Sequence, residues 1–459
     1  MKKKGMDLTE GPIFKKLVIF VLPIIASSLL QQFYNTADQM VVGKVAGVDA
    51  HAAVGATTYM TNLLLNLFVG MSIGATVTCA KYFGAKDREG IHRTVHTSIA
   101  LALFGGVIIG IVGLFVSKPL LSLLDTPKGI LDRASNYMSL ILAGSPFSLV
   151  YNYGAGLLRA SGDTKRPLYI LSISGLINVI LNLVFVICFN MEEVGVGLAT
   201  VISQMVSSVS VVLILIKRDD EMHFEPRRMR FHKAEFLNIL RVGVPSGLNA
   251  ILFNFANLSL QSTVNSFGKE YISANTAAAS ITNYISLTQN AVGTGIVSFV
   301  GQNYGAKRYD RIKKVVNIGL LTLFAVSSVM ALVLALMPET LLGLFTKEAV
   351  VAKYGVGKAL MVGVGYIIFI PSVVYAAALR GMERSKTPMN VNIISICVSR
   401  LAWLHLVYPL FEGSTLMRFN LIFVCLPMSW LFSSIAMSIA FYMLKKKFPK
   451  TPEKESPTE

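Results

Sequence analysis

The sequence is short of acid. Its 459 residues include 25 Asp and Glu against 42 Lys and Arg, and charged residues of both signs make up only 15%. A soluble globular domain carries about 25%, so most of this chain is not built to face water. The basic excess of +17 invites a nucleic-acid reading. With 53% hydrophobic residues in long runs, no nucleic-acid partner is expected, because Lys and Arg gathered in the cytoplasmic loops of a membrane protein explain the charge. Cysteine is scarce as well. Cys79, Cys188, Cys397 and Cys425 stand in or at the ends of apolar runs, without CxxC or other metal-ligand spacing, and read as packing residues. There is no GxxxxGK[ST] loop. The nearest fragment, Gly355-Val356-Gly357-Lys358-Ala359, lacks the hydroxyl, so the chain is expected not to consume ATP itself. HExxH is missing too. His92 and His96 have no acidic or cysteine partner at ligand spacing. No nucleophile constellation is visible in the apolar runs, so neither enzymatic activity nor a cofactor is expected.

What is present is hydrophobic length. A helix needs about 20 mostly apolar residues to cross a bilayer. Such stretches fall at 14–33, 53–79, 99–116, 136–153, 168–189 and 194–216, then at 236–260, 272–299, 315–337, 354–378, 389–410 and 419–444. The runs are too long, and apolar on too many sides, for the alternating strands of a membrane barrel. The expectation is an all-α polytopic membrane protein of twelve spans.

The chain also repeats itself. Gly84-Ala85-Lys86 matches Gly305-Ala306-Lys307, at an offset of 221. At the same offset Ile91 matches Ile312, Leu158-Arg159 matches Leu379-Arg380, Lys165 and Pro167 match Lys386 and Pro388, and Gly144 matches Gly365. Several segments agreeing on one offset indicate duplication. This implies two six-span lobes in parallel orientation, at 1–220 and 221–459, the second with a cytoplasmic tail. Alternate loops are basic: Lys81, Lys86, Arg88 and Arg93; Arg159, Lys165 and Arg166; the linker with Arg227, Arg228 and Arg230; Lys307, Arg308 and Arg311; Arg380, Arg384 and Lys386; and Lys445 to Lys447. The positive-inside rule puts these loops and both termini in the cytoplasm. The start Met1-Lys2-Lys3-Lys4 imitates a signal peptide, but the first span has a counterpart in the second half and is expected to be retained.

One acid falls inside a span. Asp38 continues the first helix, and Gln31, Tyr34, Asn35 and Asp38 lie at i, i+3, i+4 and i+7, on one face. Intramembrane ionisable residues are costly and usually functional, although a helix-end position is the plainer account. Pro23 lies earlier in the same helix and favours a bend there. Ser174, Asn178 and Asn182 share a face of the fifth span, and Thr200 and Gln204 one of the sixth. Their amides and hydroxyls can join a carboxylate in a proton network or offer oxygens to Na+; taken singly, each pair reads as helix–helix glue, and taken with Asp38 as a functional cluster. At the repeat offset Asp38 becomes Ser259. The second half instead offers Arg400, which suits either a cavity or an interfacial role, and His405, read as structural. Gly70-x-x-x-Gly74 and Gly106-x-x-x-Gly110 suit close helix packing.

These residues resemble the multidrug and toxic compound extrusion (MATE) family, in its bacterial DinF-like branch. The resemblance lies in Pro23 with Gln31 and Tyr34-Asn35-Thr36-Ala37-Asp38, in Val42-Gly43 and in Ala52-Ala53-Val54-Gly55. It continues in Arg159-Ala160-Ser161-Gly162-Asp163-Thr164-Lys165, in Gly197-Leu198-Ala199-Thr200-Val201-Ile202-Ser203-Gln204 and in Gly243-Val244-Pro245-Ser246-Gly247. It covers nearly the whole chain. It implies two six-helix bundles that alternate access, and export of amphipathic, often cationic small molecules in exchange for H+ or Na+. It also implies a multi-pass monomer in a bacterial plasma membrane. Asp38 matches the branch's ion-carrying carboxylate, Asn178 and Thr200 its polar partners, and Pro23 its bending proline. Gln31, Tyr34, Asn35, Gln204 and Arg400 are the candidates for the substrate cavity. The chain departs from the family at Asn182, where some relatives have a second acid. No acid replaces those that other branches carry in the second half. The alternative within the same superfamily is a flippase for lipid-linked saccharides or a similar amphiphile.

Overall fold

The computed structural model describes residues 5–43, 48–123, 126–346 and 348–449. The Lys-rich start and the end of the tail lie outside them. The described residues are overwhelmingly helical, without a strand. The helices are α1 (Ile13–Val41), α2 (Val48–Ala85), α3 (Arg88–Leu123), α4 (Lys128–Ala143), α5 (Ser145–Ala160), α6 (Lys165–Leu183), α7 (Glu192–Ile216) and α8 (Lys233–Asn265). Next come α9 (Lys269–Gly305), α10 (Tyr309–Leu336), the short α11 (Pro338–Gly343), α12 (Ala349–Gly381), α13 (Lys386–Asn392), α14 (Ser399–Ala402), α15 (Thr415–Ile422) and α16 (Cys425–Lys445).

Each of the twelve expected spans has its helix or helix pair. The fourth breaks at Gly144, where Pro146 in the next first turn cannot supply an N–H to continue the ladder. The eleventh runs through α13 and α14 with π-helical turns at Ile393–Val398 and Trp403–Val407. Ten helical stretches among the described residues are long and apolar enough to cross a membrane. The long α9 is not counted with them, being interrupted by Asn275, Thr282, Gln289 and Asn303, all buried.

The polarity is inside-out. Phe104, Ile108, Ile111 and Phe115 of α3 and Leu321, Phe324, Leu332 and Leu336 of α10 are exposed, while Ser98, Ser145, Ser298 and Ser429 are fully buried. Exposed apolar faces of this length need lipid rather than water.

The duplication is written into the backbone. Helix α2 stops with Lys86 at φ 57°, and α9 stops 221 residues later with Lys307 at φ 56°. Helix α5 stops with Gly162 at φ 86°, and α12 with Glu383 at φ 61°. Each stop uses the same pair of bonds: Lys86 N–H to Phe83 O and Asp87 N–H to Tyr82 O, matched by Lys307 to Tyr304 and Arg308 to Asn303. Gly162 to Arg159 and Asp163 to Leu158 are matched by Glu383 to Arg380 and Arg384 to Leu379. A left-handed residue closing two orphan carbonyls is the Schellman stop.

Packing divides the chain into two units. The first holds residues 5–7 and Val18–Ile251, the second Leu8–Leu17 and the chain from Leu252 onward. The division by packing thus falls inside α8, and the first turn of α1 belongs to the second unit. Within the first unit, Gly70 and Gly74 of α2 meet Gly247 and Gly243 of α8, backbone against backbone. Gly106 lies against Pro146 and Gly110 against Leu142 and Ala143. The small-residue spacings seen in the sequence therefore do let helices approach closely. In the second unit Leu8 donates to Gln302 Oε1 (3.0 Å), and Asn303 Nδ2 donates to the Leu8 carbonyl (3.1 Å).

Candidate functional site

The candidate site lies wholly in the first unit and is built from α1, α5, α6 and α7. Helix α1 carries Asp38 half-buried. Asn182 of α6 donates through Nδ2 to Asp38 Oδ1 and, at 3.3 Å, to Asn178 Oδ1. Asn178 Nδ2 reaches Thr200 Oγ1 of α7 at 3.5 Å, and Thr200 donates in turn to the Val196 carbonyl (2.9 Å). A chain of polar groups thus links the carboxylate across three helices. The spacing of four between Asn178 and Asn182 is what lets one α6 face serve both α1 and α7. Asn182 Oδ1 is buried with no hydrogen-bond partner, so the cluster holds a spare acceptor as well as the second carboxylate oxygen.

Beside the cluster is a cavity of about 110 Å³ lined by Gln31, Tyr34, Asn35, Asp38, Asn178, Thr200 and Gln204, with further residues from α5, α6 and α7. That is room for several waters. All of the first-half candidates converge here except Pro23, whose place is lower on α1, and Asn182, which stands behind the cavity wall. Pro23 has no N–H for the Ile19 carbonyl, and Ser27 Oγ donates back to the Pro23 carbonyl (2.7 Å); both features bend helices. Gly175 makes room for the Tyr34 ring. Tyr34 lies so close that a Cβ there would overlap its ring, and Tyr34 Oη donates to the Ser172 carbonyl (3.3 Å).

Several lining groups are absent from the residues that the sequence singles out, among them Ser148, Tyr151 and Asn152 of α5. Ser148 and Asn152 are spaced by four and bonded to each other, Asn152 Nδ2 to the Ser148 carbonyl at 2.8 Å, and that spacing is the available signal. A second cavity of about 90 Å³ shares Gln31, Tyr151, Asn152 and Leu171 with the first and extends past Ser27 and Ser28 to Arg159 and Thr164.

Arg400 is not part of this site. It stands in the second unit, fully buried, with Nε on Ser429 Oγ (3.0 Å) and Nη1 on Asn257 Oδ1 (2.9 Å). His405 is exposed on a π-helical turn. Among the described residues no group of three or more His, Cys, Asp or Glu is arranged to hold a metal ion.

Known proteins resemble the chain over nearly its whole length. A probable multidrug resistance protein of Bacillus subtilis, YoeA, is 26% identical over 84% of this chain and 85% of its own. An FAD transporter of Shewanella oneidensis is 23% identical over 97% of both. The solved outward-facing structure of a multidrug resistance MATE family transporter superposes with a TM-score of 0.90 at 23% identity, covering 98% of this chain and all of that one. The MatE family model matches residues 23–184 and 245–403, one copy of the repeat in each half. A twelve-span helical fold, transporter relatives and a family match over most of its length agree: the chain belongs to the MatE family of multidrug efflux transporters.

Proposed function

We propose that the protein exports amphipathic, chiefly cationic small molecules in antiport with H+ or Na+, using Asp38 as the ion carrier. The observation that carries this reading is the carboxylate itself: one acid, inside an apolar span, hydrogen-bonded to Asn182 and opening on a polar cavity. A buried carboxylate without a cation partner binds a proton, or a metal ion if more oxygens are offered. Asn178 Oδ1, Asn182 Oδ1 and Thr200 Oγ1 are the neutral oxygens available for Na+. Gln31, Tyr34, Asn35 and Gln204 make the polar lining beside it. Bending of α1 at Pro23 would couple loading of Asp38 to cavity shape. The relatives named as multidrug resistance proteins support the substrate class, and the FAD transporter extends it to a large polar amphiphile. In this reading the chain works as a monomer in the bacterial plasma membrane, needs no cofactor, and keeps both termini in the cytoplasm, where the basic loops gather. The buried Arg400 favours one second reading, a flippase for an anionic amphiphile such as a lipid-linked saccharide.

The test is ethidium efflux from cells expressing wild type or Asp38→Asn, with the proton gradient collapsed and the sodium gradient varied separately. Gradient-dependent efflux that fails in the mutant names the coupling ion. Unimpaired efflux by a well-expressed Asp38→Asn protein would sink the assignment. If wild type moves no cationic dye, the flippase reading takes its place.

A further inference from the structure

The second unit buries cations without acids. Arg400 is 0% exposed and Lys358 6%, and among the described residues no Asp or Glu pairs with either. Lys358 is satisfied by neutral groups: Nζ donates to the Asn275 carbonyl (2.9 Å) and Asn275 Oδ1 (2.5 Å), and faces the Phe423 ring at 5.1 Å. Arg400 is not satisfied. Its Nε and Nη1 have Ser429 and Asn257, but Nη2 is buried with no hydrogen-bond partner. The Trp430 indole N–H is a second buried donor without an acceptor. The Trp430 ring lies 5.9 Å from the guanidinium carbon and that of Phe253 5.2 Å from it. An unpartnered buried charge costs several kcal/mol, so orphan donors beside one guanidinium ask for a negative acceptor.

The position of Arg400 in the repeat says what kind of place this is. Counting 221 residues on from Asn178 gives Ser399. Yet residues 393–398 wind as a π-helix, whereas 172–177 lie within the regular α6. A π-turn takes in an extra residue, so the residues after it are carried back by about one position. Arg400 then stands where Asn178 stands in the first copy. The contacts agree. In the first unit α6 bridges to α7 through Asn178 and to α1 through Asn182. In the second, Arg400 bridges to α16 through Ser429 and to α8 through Asn257, the repeat counterparts of α7 and α1.

We propose that this counterpart of the carboxylate site is an anion-recognition site, in which Arg400 Nη2 receives the carboxylate or phosphate of an aromatic amphiphile. The ring of the ligand joins the stack that Trp430 makes with Tyr366 (4.8 Å) and Phe369 (5.3 Å). Arg400 is enclosed in this structure. The π-helical turns on both sides of it lack the regular ladder and are where the span can repack to admit a ligand. The proposal widens the substrate class of the exporter and in that sense rests on it, but binding does not require transport.

The experiment uses purified full-length protein and two dyes of one ring type, fluorescein (anionic) and rhodamine 123 (cationic). Trp403→Phe leaves Trp430 as the single tryptophan of the two in the chain. Fluorescein should quench its emission saturably. Arg400→Gln should weaken fluorescein binding by about tenfold or more, the scale of a charge-assisted hydrogen bond, while rhodamine 123 binding stays within about twofold. Displacement by phenyl phosphate would mark a soluble anion as the natural ligand, displacement by phosphatidylglycerol a lipid, and either supports the site. No saturable quench of Trp430, displacement by neither competitor, or equal fluorescein affinity in Arg400→Gln overturns it. Should Arg400→Gln fail to fold, as loss of rhodamine binding would reveal, the quench and competition in Trp403→Phe decide alone. Asp38→Asn should keep fluorescein binding. If fluorescein binds at Trp430 but neither dye is exported, the transport reading fails and the site stands.

Discussion

The two copies of the repeat have been put to opposite uses. Where the first has Asp38, Gly175 and Thr200, the second, 221 positions on, has Ser259, Ile396 and Leu421, and past the π-turn Leu404 stands for Asn182. The small and polar set leaves a cavity around a carboxylate. Apart from Ser259 the second set is large and apolar: Ile396 and Leu404 are buried in an aromatic-rich cluster with Trp430, Phe419 and Phe423, and Leu421 packs against it. In the first unit the charge at the site is negative, on Asp38; the second buries positive charge, on Arg400 and Lys358. One fold thus supports a hollow carrying an acid and a packed core carrying cations.

The largest effect should fall on the acid. In proteoliposomes with an imposed gradient, Asp38→Asn should lower coupled dye transport by about a hundredfold or more, the scale of losing an essential proton-transfer group. Lys358→Met, at the other copy's buried charge, should stay within about threefold, since an apolar side chain of similar volume often replaces a buried cation without loss. Equal losses in both would erase the functional distinction between the units.

The next pair separates hollow from core. Ile396→Ala should lower stability by about 2–4 kcal/mol, read as a fall in melting temperature of the purified protein, because it leaves a void in a packed region. Gly175→Ala should change the melting temperature little, since the cavity can take the displaced ring. It should cut transport by about tenfold as Tyr34 leaves its bond to Ser172. A stable Ile396→Ala protein would mean that the second unit is as loosely filled as the first.

Much of this contrast is legible in the residues alone. Asp38 stands out because it is the acid within the spans, and α6 and α7 declare their polar faces by spacings of four. What stays hidden depends on shape. Gly175 is one of 36 glycines, and only the Tyr34 ring against it reveals its role. Ser148 and Asn152 are concealed because the fourth span reads as one helix, although Gly144 and Pro146 break it. Lys358 lies in a fragment that reads as a failed phosphate loop, yet a lone lysine inside a span is the same signal as a lone aspartate. Arg400 is visible but not its partners, since Asn257 lies 143 residues away and the π-turn that sets its face leaves no mark in the sequence.

A smaller effect should appear where the copies share a conformation but not a residue. Gly162 and Glu383 close the same stop at φ 86° and 61°. Gly162→Ala should cost about 1–2 kcal/mol, because a side chain is strained there and its Cβ would meet the Met6 backbone. Glu383→Gly should shift the melting temperature by no more than about 1 kcal/mol in equivalent terms, relieving strain while giving up the contacts of the Glu383 side chain. A large loss in Glu383→Gly would show that the second stop is held by its side chain rather than by its backbone.

The smallest effect tests how buried cations are neutralised. The first unit supplies acids to several of its cations: the half-buried Arg93 pairs with the buried Glu235 (3.1 Å), the half-buried Arg133 with Glu193 (2.6 Å), and the buried Arg218 with Asp220 (2.5 Å); Arg159, whose Nε is buried without a partner, is not among them. Burial alone would push the Asp220 carboxyl up. The hydrogen bonds and charge of Arg218, the Met222 N–H and the charge of Arg166 outweigh it and hold the group below its ordinary 3.8. A carboxylate depressed in the folded state contributes stability that is present above its unfolded pKa and lost as pH falls through the folded value. Asp220 is partly exposed, so after solvent screening the contribution is about 1 kcal/mol or less. Asp220→Asn should therefore melt slightly below wild type at pH 7, and the two curves should converge below about pH 4. The mutation leaves Arg218 with neutral partners only, as Arg400 already is. If the difference persists unchanged in acid, Asp220 acts through its shape and its bond to the Met222 N–H, and the pairing of cations with acids is not what distinguishes the first unit from the second.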